Sequence, residues 1–260
     1  MRAERAPLLF IVLAAIGVGF FVLPLAGLLA RAPWETALAD LTTPEALTAL
    51  RLSFVVSLAA TAIALLLGVP LAWIYARVPF RGRDVVRALT TQPMILPPVV
   101  GGVALLFAFG RRGLFGQALD TFGIRIPFTT AGAILAATFV AMPFLVLTVE
   151  AGLRSMDRRY EDAARTLGAS RWLVFRRVTL PLIAPSIFAG AVLCWARALG
   201  EFGATITFAG NLPGTTQTLP LAVYIALETR PEVAIMLSLV LLAVSLAILV
   251  AMRDRYLRAF

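Results

Sequence analysis

The chain has 260 residues, 60% of them apolar, with a mean hydropathy of +0.92, more apolar side chain than one soluble core of this size needs. All 23 basic residues are arginine, and neither lysine nor histidine occurs, which excludes a phosphate-loop lysine, a Schiff-base lysine and a histidine base. The single cysteine, Cys194, excludes an internal disulfide and a cysteine metal cluster, and the formal charge of +9 reads as arginines flanking membrane spans rather than as a nucleic-acid footprint.

An apolar helix of roughly 20 residues, rising about 1.5 Å per residue, crosses the hydrocarbon core. Six segments qualify: about 8–30, 52–75, 91–109, 130–149, 182–203 and 233–252. The first follows Arg2 and Arg5 as a signal peptide would, but it is too long and lacks a small-residue cleavage pattern, so it reads as a retained span. The second ends near Arg77, with Arg81, Arg83 and Arg87 close behind. In the third, Pro93, Pro97 and Pro98 break backbone hydrogen bonding, and the freed carbonyls need a water-lined cavity or neighbouring helices. Gly101 and Gly102 then allow close approach of another backbone. The fifth ends with Arg197 and Glu201 one helical turn apart, where ionisable groups either pair or face water.

Counted by flank, sixteen arginines lie on one side, including Arg253, Arg255 and Arg258, and six on the other, with Arg197 inside the fifth segment. The positive-inside rule therefore places both termini and the 150–180 loop in the cytoplasm. The outward loops, 31–50, 110–128 and 204–231, contain short amphipathic pieces such as 219–228, which either pack at the membrane surface or meet a soluble partner. Arg111 and Arg112 in the second of these loops form a solvated turn or steer anions. No repeat or soluble domain is visible, so residues 1–260 read as one membrane domain.

The 150–180 loop carries helix signals of its own. Asp157 can cap a helix in which Glu161 and Asp162 occupy the first turns, where the helix dipole favours acids, and Gly168 supplies a stop. Ser170 is a second cap, followed by Trp172, Phe175 and Val178 at three-residue spacing, so the loop reads as two short helices with a bend. Ala163, Ala164 and Leu167 line one face of the first helix, which either receives a partner or lies on the lipid surface.

The run Asp162-Ala163-Ala164, three residues, Gly168, nine residues, then Val178, one residue, Leu180 and Pro181 resembles the cytoplasmic loop of ABC-importer permeases, whose pattern begins Glu-Ala-Ala. Asp162 stands for the glutamate, with Glu161 just before it, and Val178 for an isoleucine. Stretches 96–102, 197–211 and 213–220 are similar to the molybdate branch of the oxyanion permeases, with the sulfate branch close behind. The resemblance implies an all-α integral membrane protein with six transmembrane helices and the type I ABC-importer permease fold, working as a homodimer in a bacterial or archaeal cytoplasmic membrane. It implies two ATPase subunits seated on Glu161, Asp162, Ala163, Ala164, Leu167 and Gly168, and a periplasmic or lipid-anchored oxyanion-binding protein outside. ATP and magnesium would belong to the ATPase; this chain would bind no cofactor or metal and catalyse nothing, in keeping with its lack of lysine.

The translocation path and outer gate would involve Pro97, Pro98, Gly101, Arg197, Glu201, Phe202, Gly203 and Thr205. A net cation there would hold a divalent anion too tightly, whereas a balanced Arg197–Glu201 pair would release it. Molybdate or tungstate is the expected cargo, with sulfate or thiosulfate as the alternative. An ion-coupled secondary transporter would usually show midplane carboxylates and inverted repeats, and neither is evident. A membrane-embedded enzyme lacks its acid pair and histidine.

Overall fold

The computed structural model describes residues 7–256, with side chains to residue 250. Arg2, Arg5 and Arg258, used above for topology, lie outside the described residues, as do the side chains of Arg253 and Arg255. Every regular element among the described residues is helical: α1 (Leu8–Ala30), α2 (Ala37–Leu41), α3 (Pro44–Arg77), α4 (Arg83–Met94, ending in a 3-10 turn), α5 (Pro98–Phe109), α6 (Gly116–Thr121), α7 (Thr130–Ser155), α8 (Arg159–Thr166), α9 (Arg171–Leu199), α10 (Gly203–Phe208), α11 (Leu219–Thr229) and α12 (Pro231–Tyr256).

Helices α1, α3, α7, α9 and α12 are each long and apolar enough to cross a membrane. The third expected span differs. Helices α4 and α5 meet at 117°, so residues 91–109 form a sixth crossing only as part of a broken pair. Pro98 removes an N–H and pushes Pro97 into extended backbone, at ψ 129°, so the helix cannot run through the pair. The second span starts earlier than expected, because the Thr43 side chain accepts a hydrogen bond from the Ala46 N–H and Pro44 occupies the first helical turn.

The fifth span also starts early. Ser170 caps a helix, its hydroxyl accepting from the Leu173 N–H at 3.3 Å, and that helix continues through a π-turn at Phe175–Thr179 to Leu199. The second short helix expected in the loop is therefore the first turns of α9. The wide turn precedes Pro181, whose ring would otherwise meet the carbonyl four residues before it.

Lipid tails are as apolar as leucine, so these helices hold together by close packing and interhelical hydrogen bonds. Helices α3, α7 and α9 form the centre, and Ala60, Ala64, Ala72, Ala133, Ala137 and Ala141 are buried where they meet. The Trp195 Nε1–H donates to Ser57 Oγ at 3.0 Å across α9 and α3. A second cluster joins the start of α3 to α11 and α12 through Ala46, Ala49, Leu219 and Leu237. A third joins α5, α7 and α10 through Leu105, Val140, Ala204 and Phe208. Helix α1 touches α12 and buries none of its own residues.

Candidate functional site

At one end of α9 lies the 156–180 loop. Asp157 Oδ1 accepts from the Arg159 N–H at 2.9 Å and starts α8. The helix ends where Gly168 turns left-handed at φ +84°, while the Ala169 N–H reaches back to the Ala164 carbonyl at 3.1 Å. That conformation suits glycine because it lacks a Cβ.

The two adjacent acids of α8 lie about 100° apart around the helix and differ in their surroundings. Glu161 is 4% exposed. Its Oε2 pairs with Arg77 Nε at 3.0 Å, at the end of α3, and its Oε1 accepts from Thr179 Oγ1 at 2.7 Å, in α9. Arg158 Nη2 adds a hydrogen bond to the Ala76 carbonyl at 3.2 Å. Of the two carboxylates that the resemblance offers for the ATPase contact, Glu161 is the buried one and fastens the loop helix to two spans. The outward face is made by Asp162, Ala163 and Leu167, with Ala164 half-buried beside them, and Leu167 is 89% exposed. Asp162 keeps one local partner, Arg165, at 3.4 Å.

At the other end of α9, roughly 40 Å away by helical rise, the remaining predicted residues converge. Arg197 Nη1 pairs with Glu201 Oε2 at 2.6 Å, and Glu201 Oε1 accepts from the Ala204 N–H at 2.8 Å at the start of α10. Glu201 is buried and Arg197 partly exposed, so the pair both fixes the turn and offers a neutralised guanidinium edge. A Cβ on Gly203 would sit 2.8 Å from Pro98 Cβ, and one on Gly102 would sit 2.8 Å from the Ala204 carbonyl. The proline break and the Glu201–Phe208 segment, separated by about a hundred residues in sequence, therefore form one tight junction. Gly101 is buried against the Phe139 ring, Thr205 is buried, and Pro97 and Pro98 are exposed. The Phe202 ring lies 5.3 Å from that of Tyr224 in α11. In the 110–128 loop, Arg111 and Arg125 share Asp120, at 3.8 and 3.3 Å, as a solvated turn does.

One cluster escaped sequence reasoning. Glu150, 1% exposed near the end of α7, pairs with Arg87 at 3.0 Å and Arg154 at 2.7 Å. With the 2.9 Å contact of Tyr75 Oη and Thr90 Oγ1, it clamps α4 to α3 and α7. The Glu150–Arg154 spacing of four residues was a legible helical signal; the Arg87 partner had none.

Residues 65–259 match the family described as "Binding-protein-dependent transport system inner membrane component". The chain is 47% identical over 244 residues to the molybdenum transport system permease protein ModB of Mycobacterium tuberculosis, covering 93% of this chain and 92% of that one. It is 36% identical over 232 residues to the sulfate transport system permease protein CysT of Escherichia coli, covering 88% and 84%. A solved bacterial ABC transporter involved in import of the acidic polysaccharide alginate superposes with a TM-score of 0.73 at 19% identity, covering 96% of this chain and 95% of that one.

Proposed function

Because the chain belongs to the binding-protein-dependent transport system inner membrane components and has the type I ABC-importer permease fold, we propose that it is the membrane subunit through which an ATP-driven importer passes molybdate or tungstate into the cell. It is a permease, not an enzyme. The observation that carries the mechanism is the outward face of α8, a patch of small and apolar residues on a helix anchored by Glu161 to both α3 and α9. Two copies of the chain would enclose the path, each presenting α8 on the cytoplasmic side to one ATPase subunit that holds ATP and magnesium. The match between the small side chains of Ala163 and Ala164 and a cleft in that subunit would set the docking, with Asp162 and Leu167 at its rim.

Closure of the ATPases on ATP would draw the two α8 helices together. Since α8 is fastened to α3 and α9, the spans would move as rigid bodies between inward and outward access. At the far end of α9 the neutralised Arg197–Glu201 pair would make brief contact with an anion delivered by an external binding protein, without holding it. The orientation, with both termini cytoplasmic, follows from arginine placement.

The higher identity to a molybdenum permease than to a sulfate permease supports the cargo. Uptake of labelled molybdate into liposomes holding this chain, its ATPase and its binding protein tests it. ATP-dependent uptake that excess tungstate blocks and excess sulfate does not is the expected result. Equal competition by sulfate would establish the sulfate reading instead.

A further inference from the structure

Behind α8, between the end of α3 and the start of α9, lies a cavity of about 480 Å³. Its wall carries four guanidinium groups, Arg77, Arg158, Arg165 and Arg171, against two carboxylates, Glu161 and Asp162. Glu161 offsets Arg77 and Asp162 offsets Arg165. Arg158 spends one nitrogen on a neutral carbonyl, and among the described residues Arg171 has neither an ion pair nor a side-chain hydrogen bond. Two positive charges are thus uncompensated. Arg77, with only 7% of its side chain exposed, is held by Glu161, so the guanidiniums on this wall that lack a carboxylate partner among the described residues are Arg158 and Arg171, and charge-assisted hydrogen bonds from them favour an anionic ligand.

The other wall is aromatic. Trp73 and Phe175 line the cavity with their rings edge to face, 6.3 Å apart, and the exposed Trp172 stacks on Phe175 at 5.8 Å. Tryptophans at the ends of two spans mark the headgroup level of a bilayer, and the volume lies in the range of small-molecule sites. We infer that this cavity binds a phosphate-like tetrahedral oxyanion at the cytoplasmic face, with its acyl-side neighbours against Trp73 and Phe175 when the anion belongs to a phospholipid headgroup. An occupied cavity would brace α8 against α3 and α9. The inference uses the orientation proposed above but not the cargo.

The permease assembled with its ATPase, stripped of lipid, would be placed in nanodiscs of phosphatidylcholine alone or with added phosphatidylglycerol. Retained lipid would be read by native mass spectrometry and thermal stability by an unfolding scan. Wild type is expected to retain phosphatidylglycerol and gain stability from it, and Arg171→Gln to lower retention about fivefold, the weight of one arginine near an anionic surface. Arg165→Gln is a second variant should the first fail to assemble, and Arg112→Gln, on the outer loop, should match wild type. If millimolar inorganic phosphate or molybdate stabilises the complex in phosphatidylcholine alone, and Arg171→Gln removes that effect, the site stands and its anion is a free one. Equal retention by Arg171→Gln and wild type overturns the inference. So does indifference of wild type to lipid, phosphate and molybdate alike, as when an acidic side chain of the docked ATPase fills the cavity.

Discussion

Glu161→Gln removes one charge and almost no volume. The lost carboxylate faces Arg77, and the two side chains are only 5% and 7% exposed, so solvent does little to screen the change. The Thr179 hydrogen bond can persist to the glutamine carbonyl oxygen, leaving the guanidinium as the injured group. Breaking a buried ion pair from one side costs about 3–5 kcal/mol, a shift of roughly two to three and a half powers of ten in any equilibrium between fastened and loosened α8. The apparent Tm of the purified permease should fall by roughly 6–20 °C, judged from soluble proteins of this size. In proteoliposomes the expected outcome is ATP hydrolysis that continues while uptake drops, because under the proposed coupling α8 would still dock but would no longer move α3 and α9 with it. Arg77→Met with Glu161→Met should recover most of the stability, since apolar replacement of a buried pair is often neutral. A Glu161→Gln permease with unchanged Tm and unchanged uptake per ATP would refute the claim that this carboxylate links loop to spans.

Leu167→Asp, at a side chain 89% exposed, should leave stability within about 0.5 kcal/mol yet abolish uptake and co-purification of the ATPase; retained uptake would sink the docking face. Ala164→Arg should do the same. Gly168→Ala, at φ +84°, should cost about 1–2 kcal/mol, and Gly168→Pro should end transport with the protein still inserted, both read by uptake alongside membrane yield. Gly102→Val would drive its side chain into the Ala204 carbonyl and Thr207 at a cost of about 1–3 kcal/mol, whereas Gly17→Ala, with open space around it, should leave the unfolding scan unchanged. Glu201→Gln would leave Arg197 unneutralised, so KM and maximal rate of uptake should fall together; a raised KM would contradict anion contact at this pair.

The composition and the apolar runs determined that this is a multi-span α-helical membrane protein, because length and hydropathy alone fix what the bilayer accepts. The loop was legible for a similar reason. Asp157, Gly168 and Ser170 act on backbone groups within a few residues of themselves, so their spacing states the start, stop and restart of α8 and α9 without reference to the rest of the chain. The proline cluster at 93–98 announced a break but not its 117° angle, since a missing N–H says where a helix fails and not where the chain goes next.

The roles of individual charges were settled only in three dimensions. Glu161 and Asp162 are neighbours with nearly the same chemistry, and one faces a buried arginine while the other faces solvent. The partner that makes this difference, Arg77, lies 84 positions earlier, where it looked like one more topology signal. Glu150 drew Arg87 from across 63 positions in the same way. Local physics acts through neighbours along the chain and so is written in sequence order, whereas a buried ion pair depends on which helices the fold sets side by side, and no spacing records that.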